Sequence, residues 1–91
     1  MQVRRSVLSI VANLAEGAGS GSRPMAAWYF RIASASAHES EAILLVARSA
    51  EILPRATVDD WLLELGEIKR MLSGLLRAVA VPRRKAVSPS R

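Results

Sequence analysis

MAAWYFRIASASAHESEAILLVARSAEIL, residues Met25–Leu53, decides the fold: 29 residues without a glycine or proline, built around five consecutive small side chains, Ala33-Ser34-Ala35-Ser36-Ala37. Bulky apolar groups flank that centre, with Trp28, Tyr29, Phe30 and Ile32 before it and Ile43, Leu44, Leu45 and Val46 after it. As one helix the stretch spans about 40 Å at 1.5 Å per residue. Small side chains let neighbouring helices approach closely, so the stretch reads as the central rod of a helical bundle. Three consecutive aromatics cover a wide arc of a helix, so they cannot all face one neighbour.

On the N-terminal side, Val3, Val7, Ile10 and Leu14 step by 4, 3 and 4, with Leu8, Val11 and Ala15 widening the stripe. This spacing predicts an amphipathic helix over 2–17. Gly17-Ala18-Gly19-Ser20-Gly21-Ser22 ends it, glycine supplying the positive φ of a C-cap. The segment lacks the phosphate-loop pattern and follows no strand, so it reads as an interhelical turn. Ser22 or Ser20 caps the rod, and Pro24 suits its first turn.

On the C-terminal side, Leu53-Pro54-Arg55-Ala56 breaks the rod, and Thr57 with Asp60 reads as a weak capping box. Val58, Trp61, Leu65, Ile68, Leu72, Leu75 and Val79 then step alternately by 3 and 4, the spacing of a coiled-coil-like packing face. Gly66 and Gly74 interrupt this helix and mark either tolerated breaks or close contacts. The expected elements are therefore helices near 2–17, 25–53 and 58–80, forming one all-α domain over residues 1–81. A basic tail, 82–91, is expected to be disordered.

Charge and composition exclude several functions. The chain has no cysteine and one histidine, so disulfide frameworks, thiolate metal sites and multi-histidine zinc sites are ruled out. Of the formal net charge of +5, Arg83, Arg84, Lys85 and Arg91 contribute +4, and the remaining residues are nearly balanced. No uncharged apolar run is long enough for a membrane span, and no secretion signal is evident, so a cytoplasmic protein is expected. His38 has Ser34 and Glu41 at helical spacing, but nothing in that spacing supplies an in-line base or an oxyanion site. Glu-x-x-His, needed for a di-iron bundle, is absent. We expect no enzyme activity, catalytic residue, metal, cofactor or small-molecule substrate. The hydrophobic content of 51% is high for so small a chain and points to apolar surface buried between subunits. Glu39 falls on an apolar side of the rod and needs a partner, which Arg4, Arg5 or Arg70 could supply. Glu16 and Glu41 are further structural pairing residues.

Three blocks of sequence resemble one family. Arg4-Arg5-Ser6-Val7-Leu8-Ser9-Ile10-Val11-Ala12-Asn13-Leu14-Ala15-Glu16-Gly17, Ile32-Ala33-Ser34-Ala35-Ser36-Ala37-His38-Glu39-Ser40-Glu41 and Ile68-Lys69-Arg70-Met71-Leu72-Ser73-Gly74-Leu75 are similar to the signature blocks of the four-helix-bundle proteins encoded by intervening sequences in bacterial 23S ribosomal RNA genes. The resemblance implies an antiparallel four-helix bundle assembled into a ring-like homopentamer; the family's biochemical role is not established. The chain also resembles the accessory protein of diversity-generating retroelements, a pentameric barrel with a basic surface, which implies RNA or DNA binding. Three departures stand out. The chain starts where the family's second helix begins, so three helices are expected and the family's first is missing. Val11 stands where members commonly have Pro, and Ala35 where they commonly have Gly.

The expected function is thus a non-enzymatic homo-oligomeric bundle that binds RNA or DNA without sequence preference. Arg4, Arg5, Arg23, Arg31, Arg70, Arg83, Arg84 and Lys85 are its candidate phosphate contacts. The alternative is a protein-interaction or toxin–antitoxin-like module that binds no nucleic acid.

Overall fold

The computed structural model describes residues 2–80 as three α-helices: α1, Gln2–Ala18; α2, Arg23–Ser49; and α3, Arg55–Ala80. Among the described residues there is no strand. The expected strand-free, three-helix arrangement is therefore present, a partial four-helix bundle. Basic-tail residues 82–91 lie outside the described residues.

Each helix boundary has a local cause. Ser22 has extended backbone (φ −140°, ψ 134°), and its hydroxyl accepts from the Met25 amide, capping α2. Arg23 and Pro24 are therefore already helical, two residues earlier than the spacing predicts. In the turn before it, Ser20 Oγ lies 3.0 Å from the carbonyl oxygens of both Gly17 and Ser22, which share its single proton. Among the turn's glycines it is Gly21 that takes the positive φ, +73°.

The expectation of a rod reaching residue 53 is corrected: α2 stops at Ser49. Pro54 disfavours helical backbone at Leu53, so the chain must leave the helix before it. It does so through a Schellman motif. The Glu51 amide donates to Arg48 O at 3.1 Å and the Ile52 amide to Ala47 O at 2.9 Å. Glu51 occupies the left-handed position at φ +59°, where glycine is usual. The start of α3 also differs. The Val58 amide donates to Pro54 O at 3.1 Å, so Arg55 opens the helix and Thr57 lies inside its first turn rather than capping it.

α1 and α3 each run antiparallel to α2, and α2 packs against both. Ala33 and Ala37 are fully buried where they converge, because methyl side chains allow two helices onto one narrow strip of the rod. Ile10 from α1, Leu44 from α2, and Val58, Leu65 and Leu72 from α3 complete the core, with Leu14, Leu53, Leu62 and Ile68 packed on its edge. The α3 stripe divides into two rows of step seven. Val58, Leu65 and Leu72 face α2 and are buried; Trp61, Ile68 and Leu75 look aside and remain partly open. The aromatics of α2 diverge as their spacing predicts. Phe30 is buried, Tyr29 half-buried, and Trp28 exposed, stacked edge-on against Tyr29 with ring centroids 5.1 Å apart.

Gly17 explains how α1 seats on α2. It is buried, and a Cβ there would lie 2.5 Å from Phe30 Cε1. Gly66 and Gly74 have no such role between helices: each lies beneath an arginine of its own helix, Arg70 and Arg77 respectively.

Candidate functional site

α1 and α3 run parallel to each other on α2 with their backbones apart, and a groove of about 320 Å³ opens between them. Leu44 and Ser40 of α2 and Leu65 of α3 form its floor. Val7 of α1 stands on one wall, with Trp61 and Ile68 of α3 on the other. Arg4 closes the α1 rim and Glu64 the α3 rim, so the two edges carry opposite charge. Val7 and Trp61 are both about two-fifths exposed, although each is large and apolar. Chemically it is an apolar surface with polar edges.

The opposite seam, between α1 and α2, is polar. Ser9 and Ser36 share a hydrogen bond of 2.8 Å, Asn13 Nδ2 donates to Ser9 O at 2.8 Å, and Ser40 Oγ donates to Ser36 O at 2.9 Å. These bonds satisfy most of the hydroxyls that the small-residue seam buries. A cavity of about 290 Å³ opens beside them, with Arg5 and Glu39 among its lining residues.

Two ion pairs join α2 to α3: Arg48–Asp59 at 2.6 Å and Lys69–Glu41 at 2.8 Å. The Lys69 ammonium donates to the Glu41 carboxylate and holds its pKa below the ordinary value, with smaller favourable contributions from the Lys69 and His38 charges. His38 Nδ1 lies 2.8 Å from Ser34 O. A carbonyl only accepts, so that nitrogen carries the proton and is engaged with backbone rather than with a hydroxyl.

The candidate residues read from the sequence are dispersed. Arg4 and Arg5 are exposed near the start of α1, where Arg4 lines the groove that Glu64 also lines and Arg5 the cavity that Glu39 also lines. Arg23 lies at the opposite end of the α1–α2 pair and donates to Ala78 O of α3. Arg31 and Arg70 are exposed on different helices. Arg83, Arg84 and Lys85 lie outside the described residues. Glu41 is paired with Lys69. Glu39 is exposed and, among the described residues, makes no ion pair with Arg4, Arg5 or Arg70. The helix turns it toward the rim of the seam cavity. Glu16 is likewise exposed. Among the described residues no cluster of His, Asp or Glu is placed to hold a metal ion, and no helix is long and apolar enough to cross a membrane.

The sequence reading missed Lys69 and the Arg48–Asp59 pair. Both are contacts across helices, which periodicity within one helix cannot reveal.

The seam of small polar residues and the glycine that admits Phe30 belong to the sequence blocks Ser6–Gly17 and Ile32–Glu41. A family model for the 23S rRNA-intervening sequence protein matches residues 1–74, which include all of α1 and α2 and most of α3. The chain belongs to this family. The match ends within α3, six residues before its last described turn closes at Ala80. Neither a curated protein nor a solved structure matches the chain.

Proposed function

We propose that this member of the 23S rRNA-intervening sequence family is a non-enzymatic assembly module that self-associates through apolar helix faces. The observation that supports the reading is the open groove between α1 and α3. Its apolar floor and walls are left uncovered by a chain that already has few buried large side chains. A helix lying antiparallel to both α1 and α3 would complete an up-and-down four-helix bundle, the architecture that the family resemblance implies. The oppositely charged rims, Arg4 and Glu64, favour one direction of entry over the other.

Light scattering on the full chain over a range of concentrations tests this reading. The expected mass is that of several chains, falling toward 9.9 kDa in Trp61→Glu, which places a charge on the groove wall. A folded wild-type monomer at every concentration refutes it. The toxin–antitoxin-like alternative predicts that outcome, with the groove taken by a different polypeptide.

A second reading rests on the tail. Four of the five excess positive charges sit in residues 82–91, so an oligomer would carry a multiplied cluster able to bind RNA or DNA without reading bases. Binding of labelled RNA and DNA should weaken linearly on a log–log plot against salt and be lost in a chain ending at Val81. Undiminished binding by the shortened chain would place the contacts on the helices. Absence of binding by both chains at low salt would leave the assembly reading alone.

A further inference from the structure

The α2–α3 pair carries its charge unevenly. Residues 23–38 of α2 and 70–80 of α3 contain Arg23, Arg31, Arg70 and Arg77 and no acidic residue. Residues 39–69, the other end of the pair, contain seven carboxylates against three cations. Antiparallel packing brings the two acid-free stretches side by side. From the Lys69–Glu41 pair, eight residues on along α3 reach Arg77 and eight back along α2 reach Ala33, so Arg77 stands level with Arg31 to within about 3 Å. By the same count α3 ends level with Phe30, and Arg23 fastens that end by donating to Ala78 O. The arginines also turn the same way. Arg70 comes two residues after the groove-lining Ile68, about 200° round the helix, and Arg77 follows seven residues later, so both face away from the groove. Arg31 comes two residues before the buried Ala33 and is turned outward likewise. Arg31, Arg70 and Arg77 are exposed, and none of them forms an ion pair among the described residues. Trp28, three residues before Arg31 and so its neighbour on the surface of α2, is 51% exposed, with its ring edge-on to half-buried Tyr29. Past Ala80 the sequence continues to Arg83, Arg84 and Lys85, and Arg83 is within about 10 Å of Ala80 by chain length alone.

We propose that this end of the α2–α3 pair binds a single-stranded nucleic acid, with Arg31, Arg70 and Arg77 on its phosphates and a base stacked on Trp28. The proposal rests on the nucleic-acid reading above and adds a surface on the helices to the tail. Two features select the ligand. A surface of cations without carboxylates attracts a polyanion and repels a copy of itself. An exposed indole among those cations matches a strand whose base faces are free, whereas in a duplex each base is already stacked on its neighbours. An acidic protein segment would satisfy the arginines and leave the indole unused. The carboxylates of residues 39–69 repel phosphate, which confines the strand to the end from which the basic tail continues. Glu16, the acid at the level of this end, belongs to α1.

Fluorescence anisotropy with labelled oligouridine, oligothymidine and a DNA duplex of equal length, each over a range of salt, tests this on the full chain. Both single strands should bind, and more tightly than the duplex. Trp28→Ala should weaken single-strand binding about five- to hundredfold and leave duplex binding unchanged, and Trp28→Phe should keep most of the affinity. Arg31→Gln and Arg77→Gln should weaken binding of every probe and each reduce the single-strand salt slope by about 0.7. Arg55→Gln, which removes an exposed cation from the acidic end, should change nothing. In Trp61→Phe the remaining tryptophan is Trp28, and oligouridine should quench its emission. Circular dichroism and light scattering check that each variant keeps its helices and its mass. A full chain whose single-strand affinity is the same in Trp28→Ala and both arginine variants overturns this surface while the tail reading stands. Equal loss on duplex and single strand in Trp28→Ala overturns the stacking contact. A fall in assembly mass in Trp28→Ala assigns the indole to a contact between copies and overturns the proposal. A full chain that binds no probe at low salt overturns both this surface and the tail reading.

Discussion

Replacing Gly17 with Ala should destabilise the protein, although the same change in an ordinary exposed helix position stabilises it. Gly17 is helical and buried, and an added Cβ would stand 2.5, 2.8 and 3.2 Å from three atoms of the Phe30 ring. Carbon atoms in comfortable contact are about 3.5–4.0 Å apart, so the ring or the helix must retreat by roughly 1 Å. Phe30 is only 5% exposed and has little room to do so. Overpacking of this kind costs about 1–3 kcal/mol. Against it stands a helix-propensity gain of at most about 1 kcal/mol, smaller here because Gly17 is the penultimate residue of α1. The net loss is about 1–2 kcal/mol, or a fall in Tm of roughly 5–15 °C for a domain of this size. Urea and thermal unfolding at one fixed protein concentration measure it, since association makes apparent stability concentration-dependent. The cause is isolated by repeating the change in a Phe30→Leu background. With the ring gone, Gly17→Ala should be neutral or stabilising, giving a coupling of about 1–2 kcal/mol between the two sites. If Gly17→Ala raises Tm in the wild-type background, the close approach of α1 to Phe30 is not what glycine provides there.

Other perturbations test other joints. Glu51→Gly should leave stability unchanged or raise it by up to about 1 kcal/mol, relief of left-handed strain being offset by glycine's freedom in the unfolded chain. Glu51→Val should instead destabilise by about 1 kcal/mol or more, because a β-branched residue tolerates that backbone poorly; equal urea midpoints for the two variants would contradict the Schellman assignment. Ser22→Ala should cost about 0.5–2 kcal/mol through loss of the α2 cap, measured by the same unfolding curves. The fourth prediction concerns pH. Glu41 has a lowered pKa when folded, so its pairing with Lys69 stabilises the protein above the ordinary carboxylate value of 4.5 and is lost as pH falls through the depressed value. Glu41→Gln should remove that acid-side component from a plot of Tm against pH, and an unchanged acid limb would show that the pair contributes nothing.

Most of the architecture was legible in the linear order of residues. Helix type, number and direction reversal follow from the apolar spacing of Val3–Leu14 and Val58–Val79 and from the glycine-rich and Pro54 breaks, all of which act over one or two turns. The small residues at the centre of the rod marked where helices could approach closely, but packing decided that Ala33 and Ala37 are buried while Ala35 is exposed. What tertiary structure decided is where each stripe points. Periodicity reports that Trp61, Ile68 and Leu75 share a face with Val58, Leu65 and Leu72, but only the position of α2 divides them into a buried row and a groove wall. The partners of charges were decided the same way. Glu41 meets Lys69, 28 residues away, while Glu39, two residues before it, turns to solvent, because a helix separates such neighbours by about 200° and only packing shows which side has company. Even Gly17 reads in sequence as a helix stop; the Phe30 ring against it shows that its missing side chain sets the distance between two helices. Local free energies choose the helices, and contacts between residues distant in sequence choose which faces remain open.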